Sequence, residues 1–136
     1  MRCRMKYDDL VFAAKEAMMS AYAPYSSFFV GAALKGKSGK IYSGCNVENS
    51  SYGCTICAER TAITKAVSEG EREFEAIAIC GGKNGEITDF CPPCGICRQF
   101  LGEFCREDFK IVLVSSNDVK IFTLSEILPF SFTLKD

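Results

Sequence analysis

The chain has 136 residues, 48% of them hydrophobic and 24% charged, with a net charge of −1 and no histidine. This suits one soluble globular domain spanning residues 1–136, large enough for a real core. It excludes the basic surface of a nucleic-acid binder, and no apolar run is long enough for a membrane span; the missing histidine removes the usual zinc ligand and the usual general base together.

Arg2, Arg4 and Lys6 imitate the start of a signal peptide, but Asp8, Asp9, Lys15 and Glu16 interrupt the apolar stretch that such a peptide needs, so a cytoplasmic protein is expected. Leu10, Ala14, Ala17, Met18 and Ala21 recur at helical spacing and predict an amphipathic helix from about Asp8 to Ala21, with Asp8 as cap and Pro24 as stop. Next comes a hairpin: strand Phe29 to Leu34, a turn over Gly36 to Lys40, and strand Ile41 to Cys45. Lys35, Lys37 and Lys40 mark its solvated tip. Asn46 to Thr55 reads as loop. A second helix runs from Cys57 to Glu69, with Gly70 at its C′ position. Phe74 to Cys80 is mostly apolar, as a buried central strand is. A loop to Pro93 leads into a third helix, Cys94 to Phe104. Strands Lys110 to Val114 and Val119 to Thr123 flank a turn, and Ser125 caps a short helix to Leu128 that Pro129 ends. This order predicts an α/β fold: a mixed five-stranded sheet with helices packed on its faces.

Nine cysteines are many for this length, but an odd number without an export signal argues against a disulfide framework. Some are metal ligands; Cys3, Cys45, Cys54, Cys80, Cys91 and Cys105 read as small buried hydrophobes or free thiols. Cys94 and Cys97 stand three apart at a helix start, where both sulfurs can reach one point and the free N–H groups favour thiolate. Cys57, at a second helix start, can add a third sulfur. Glu59 is the acid beside it. Three thiolates and a nearby carboxylate describe a zinc ion with one position left for water. Such a site carries one net negative charge, and Arg60 first, then Arg98, could donate to the sulfurs and draw that charge off.

Competing readings stand beside these. Cys54 and Cys57 form another Cys-x-x-Cys pair, so a closed four-sulfur structural site is available, as in a zinc-stabilised binding module without catalysis. Against it, a whole helix and a buried strand separate the two pairs. Cys91 also has the right spacing to Cys94, but Pro92 and Pro93 hold it in an extended stretch. Glu59 suits a first helical turn for dipole reasons alone, and a residue two beyond Cys57 does not share its helix face. Phe28 could be core, Asn46 and Glu48 ordinary loop polars, and Phe130 and Phe132 core aromatics.

Cys57-Ala58-Glu59-Arg60 and Pro93-Cys94-Gly95-Ile96-Cys97-Arg98-Gln99 together resemble the signature of the zinc-dependent cytidine deaminases, in the small form with three cysteine ligands. Tyr22 to Leu34 and Gly44 to Asn49 are similar to the same family. The resemblance implies a three-layer α/β/α fold and one zinc per subunit. It further implies hydrolytic deamination of cytidine and deoxycytidine to uridine and deoxyuridine, in pyrimidine salvage. Glu59 would be the proton shuttle, a role whose zinc-activated water and non-ligand glutamate are general to zinc deaminases. Phe28 would lie against the pyrimidine, Asn46 and Glu48 would hold the ribose hydroxyls, and the Ala58 carbonyl would accept from the exocyclic amine. Phe132 would reach a neighbouring subunit's site, with Tyr52 near a subunit boundary, in a homotetramer. A related deaminase acting on a modified cytosine antibiotic shares the zinc motif; the Asn46/Glu48 loop favours the nucleoside.

Overall fold

Every residue from Ala76 through Gly82 is buried, which places that strand in the middle of a sheet. A computed structural model describes residues 6–135; Arg2, Cys3 and Arg4 lie outside them. The elements are α1 (Asp8–Met18), β1 (Phe28–Gly36), β2 (Ile41–Cys45), α2 (Ala58–Ser68), β3 (Phe74–Lys83), α3 (Gly95–Phe104), β4 (Lys110–Val114), β5 (Val119–Thr123) and α4 (Leu124–Ile127). The five strands lie in the order β2-β1-β3-β4-β5. Only β3 and β4 run parallel; the other neighbours are antiparallel. A parallel pair needs a crossover, and α3 supplies it.

Alternation along the strands separates two cores. Ile77, Ile79, Ile111 and Leu113 face α2, α3 and α4, together with Leu34 and Phe109. Ala76, Ala78, Cys80, Val112 and Val114 face α1, whose Leu10, Ala14 and Met18 complete that side. The three-layer expectation is met. Two glycines set how closely the helices approach. At Gly31 a Cβ would run into the backbone of α1 at Ala14 and Met18; at Gly44 it would fall 2.6 Å from Ala62 N and 2.8 Å from Ala58 O of α2. The first turn of α2 thus rests directly on β2.

Several boundaries differ from the sequence reading. α1 ends at Met18, not Ala21, because Tyr22 N–H donates to Asn46 O and Tyr22 pairs as a bridge with Val47. Asp8 lies inside that helix; its N-cap is Tyr7, without a side-chain cap. β3 runs on to Lys83 because β1 continues beside it, pairing Phe28 with Lys83 and Phe29 with Gly82. The last helix is capped by Thr123, not Ser125: the Thr123 hydroxyl accepts from Glu126 N and the Glu126 carboxylate accepts from Thr123 N, a capping box that lets Leu124 bury. Gly70, at φ 101°, holds the left-handed position after α2 as expected. Lys35, Lys37 and Lys40 pair with Asp9, Glu73 and Glu69 around the hairpin tip. No helix among the described residues is long and apolar enough to cross a membrane.

Candidate functional site

Cys57 and Cys94 are the N-cap residues of α2 and α3, both with extended backbone, and Cys97 is buried in the first turn of α3. Their three sulfurs lie within 4.8 Å of one another, with Cys57 and Cys94 3.9 Å apart. Tetrahedral zinc with Zn–S bonds of ~2.3 Å separates its sulfurs by ~3.8 Å, so the donor set fits that ion. Both helices turn their unsatisfied N–H groups toward the cluster, which favours thiolate. Among the described residues neither Cys54 nor Cys91 joins it, which removes the support for a closed four-sulfur site. Burial pushes the thiols of Cys80, Cys91 and Cys105 up to about 11, 12 and 12, as expected of inert packed cysteines.

Arg60 Nη2 donates to Cys57 Sγ at 3.6 Å and to the Thr55 carbonyl at 3.2 Å. Its Nε is buried without a partner. The Cys57 thiol is pulled down to about 5, first by a hydrogen bond from Cys97 and then by Arg60, while Cys97 is raised by the thiolate it serves. Taking up a metal would drive off the Cys97 proton. Arg98 does not act as the sequence suggested: its Nε donates to Pro93 O at 2.8 Å and its Nη1 to Ile127 O at 2.9 Å. It ties the ligand loop to α4 and leaves the sulfurs to Arg60.

Glu59 is only 4% exposed, in the first turn of α2. Burial raises its carboxyl to about 7; the Cys57 charge adds to this and a hydrogen bond from its own backbone N–H opposes it. Its charge is felt in turn at Cys97 and Cys91. The sequence could not bring Glu59 to the sulfurs by helix geometry. The tertiary structure buries Glu59 at the start of α2, close enough to Cys57 for the two charges to act on each other. A carboxyl that can hold or release a proton near neutrality, close to Cys57, is equipped for general acid–base work.

The remaining site residues divide. Phe28 is 39% exposed at the mouth of β1, so it is not core. Asn46 and Glu48 are not idle loop polars. Asn46 donates from Nδ2 to Phe28 O and accepts at Oδ1 from Val30 N, both at 2.9 Å. Glu48 Oε1 accepts from Tyr25 N at 3.0 Å and Ser26 N at 3.2 Å, and Oε2 accepts from the Ser26 hydroxyl. Glu48 and Tyr52 line one cavity of about 240 Å³ with Tyr25, Ser26, Asn49 and Thr55. Ala58 is wholly buried between Cys57 and Glu59. Phe132, 71% exposed, lines a separate cavity beside α4 with none of these residues. Within one chain it is not brought to the site.

Sequence reasoning missed Ser26, and it missed a wall made by Gly81 and Cys91. A Cβ on Gly81 would lie 3.1 Å from both Cys91 Sγ and Phe28 Cε2, so thiol and ring pack over bare backbone there. Only the two adjacent glycines hinted at this. A larger cavity of about 490 Å³ opens among Lys6, Arg72, Phe74, Arg106 and Lys110, at the opposite ends of β3 and β4, and contains none of this chemistry.

Residues 5–113 match the family model described as the cytidine and deoxycytidylate deaminase zinc-binding region. The cytidine deaminase of Sporosarcina psychrophila is 44% identical over 133 residues, 97% of this chain and 95% of its own length. That of Halalkalibacterium halodurans is 47% identical over 128 residues, 93% of this chain and 94% of its own. The crystal structure of cytidine deaminase from Burkholderia pseudomallei superposes with a TM-score of 0.86 at 44% identity, covering 93% of this chain and 98% of that one. With its sulfur cluster, its buried glutamate and this likeness along nearly its whole length, the chain belongs to the zinc-binding cytidine and deoxycytidylate deaminase family.

Proposed function

We propose that the chain, as a single catalytic domain over residues 1–136, is a zinc-dependent hydrolase that converts cytidine and deoxycytidine, with water, to uridine and deoxyuridine plus ammonia. The observation that carries this is Glu59, buried in the first turn of α2 two residues after Cys57, whose sulfur clusters with those of Cys94 and Cys97. Zinc held by the three cysteines supplies a Lewis acid that lowers the pKa of water toward ~7. Glu59 takes the proton that water gives up and delivers it to ring N3, making C4 open to attack. After addition at C4, Glu59 takes the proton of the new C4 hydroxyl and passes it to the amino group; the C4–N bond breaks, ammonia leaves and C4 becomes the carbonyl carbon of the uracil ring. A carboxyl poised near neutrality can do both.

The other residues hold the substrate. Phe28 lies against the pyrimidine ring, and the Ala58 carbonyl accepts from the exocyclic amine. Asn46 and Glu48 receive the ribose hydroxyls, each with capacity left over after its internal hydrogen bonds. Arg60 stabilises the sulfur charge. Tyr52 and Phe132 are 84% and 71% exposed, and this supports a homotetramer in which a neighbour's Phe132 completes each site. The enzyme works in the cytoplasm, in pyrimidine salvage.

The test is the loss of cytosine absorbance on mixing purified, zinc-loaded protein with cytidine. Deamination abolished by Glu59→Gln with zinc retained supports the proposal; an inert wild-type protein containing one zinc per chain removes it.

A further inference from the structure

Two residues proposed to hold the sugar are both bonded to the peptide of the residue proposed to face the base. Asn46 reaches Phe28 directly, its Nδ2 donating to Phe28 O. Glu48 reaches Phe28 through Ser26. The Ser26 hydroxyl donates to Glu48 Oε2 and accepts from Phe28 N at 2.9 Å. A hydroxyl has a single proton to give. With that proton on the carboxylate, its lone pairs face the Phe28 N–H, so the relay has one direction.

The segment between these anchors is not at rest by itself. Ser27 has φ 60°, a left-handed conformation that non-glycine residues seldom adopt. Its carbonyl is taken by Asn84 N at 2.6 Å. Glu48 Oε1 grips the amides of Tyr25 and Ser26 on the near side. The turn that delivers Phe28 to the mouth of β1 is therefore held by Glu48 before it and by the Ser26 hydroxyl within it.

We infer that Ser26 is a positioning residue that links sugar recognition to base recognition, by fixing the Glu48 carboxylate and the Phe28 peptide against each other. This rests on the reading that Glu48 binds the ribose and Phe28 the pyrimidine. Without the hydroxyl, Glu48 loses a donor that orients Oε2, Phe28 loses the acceptor for its N–H, and the left-handed turn can relax. Neither Glu59 nor the cysteine cluster touches Ser26, so the loss falls on binding and leaves the chemical step alone.

The experiment is a double-mutant cycle of Ser26→Ala and Glu48→Ala on cytidine deamination, with zinc content and thermal midpoint recorded for every variant. Ser26→Ala is expected to raise KM about tenfold and change kcat less than about threefold, as the loss of a charge-assisted hydrogen bond does when it serves binding alone. In the Glu48→Ala background the same change should add less than about a further twofold, because the link is already cut. Ser26→Thr, which keeps the hydroxyl, should return KM close to wild type and guards against a misfolded alanine variant. Penalties that multiply independently, an unchanged KM, or a fall confined to kcat would overturn the link while Glu48→Ala still raises KM. If Glu48→Ala itself leaves KM unchanged, the sugar-binding reading falls, and the link with it.

Discussion

Arg60 directs Nη2 at the Cys57 sulfur, 3.6 Å away, from one turn further along the same helix. That contact underlies the proposal that Arg60 is the cation that offsets thiolate charge. Groups that support metal ligands in this way are typically worth about 10–100-fold in metal affinity or activity. Arg60→Ala is expected to lose zinc to a competing chelator about that much more readily, read by a chromophoric zinc indicator. Zinc retention equal to wild type would show that the charge is handled elsewhere.

Cys54 lies outside the sulfur cluster and is exposed, whereas Cys97 lies inside it and is buried. Cys54→Ser should keep one zinc per chain and full turnover; Cys97→Ser should lose both. Metal analysis of the two purified variants decides this, and loss of zinc from Cys54→Ser would point to a closed four-sulfur site.

Glu59→Gln removes the proposed proton shuttle but not the sulfurs. Turnover should fall by about a hundredfold to ten-thousandfold, the usual worth of a general acid–base, with zinc content unchanged. The metal-free protein offers a second reading. Folded, Glu59 gives up its proton near pH 7; unfolded, near the ordinary 4.5. Between those values the folded chain holds the extra proton, so stability declines as pH rises through that window. Above pH 7, zinc-free Glu59→Gln should be more stable than zinc-free wild type by about 3 kcal/mol, and near pH 4 the difference should vanish. Urea midpoints at the two pH values test it; a gap that does not depend on pH would show that burial does not raise this carboxyl.

Gly44→Ala should damage the site from a distance. The new Cβ meets Ala62 N and Ala58 O, both backbone atoms of α2. Relieving that overlap costs about 1–3 kcal/mol and moves the turn that carries Glu59. Lower thermal stability together with reduced kcat is expected. Reduced stability with unaltered kcat would show that the first turn of α2 can shift without consequence.

The exposed Phe132 predicts a shared site. Sedimentation should show an active tetramer, and Phe132→Ala should raise KM by about fivefold, as loss of one aromatic contact does. A fully active monomer would sink the idea.

Much of the fold was legible because apolar periodicity reports directly on burial. β2, β4 and β5 fall at the expected residues, and the boundary errors arise where pairing outside the element decides. Tyr22 leaves the helix to pair with Val47, and β3 runs through two glycines because β1 lies alongside. Asn46 and Glu48 looked like idle loop polars because their partners, at Phe28, Val30, Tyr25 and Ser26, are far away in sequence.

From the residues alone came the kind of chemistry: sulfur ligands where no histidine exists, helix starts to hold them, and one acid nearby. Spacing could do this because the Cys-x-x-Cys pair is a local geometry, settled within a single helical turn. Whether Glu59 is buried, whether Cys54 stays out of the cluster, and where Arg98 turns its guanidinium were decided only by packing. Burial depends on what α2 packs against, and Arg98 is held by the Pro93 and Ile127 carbonyls, partners from separate parts of the chain that no local spacing reveals.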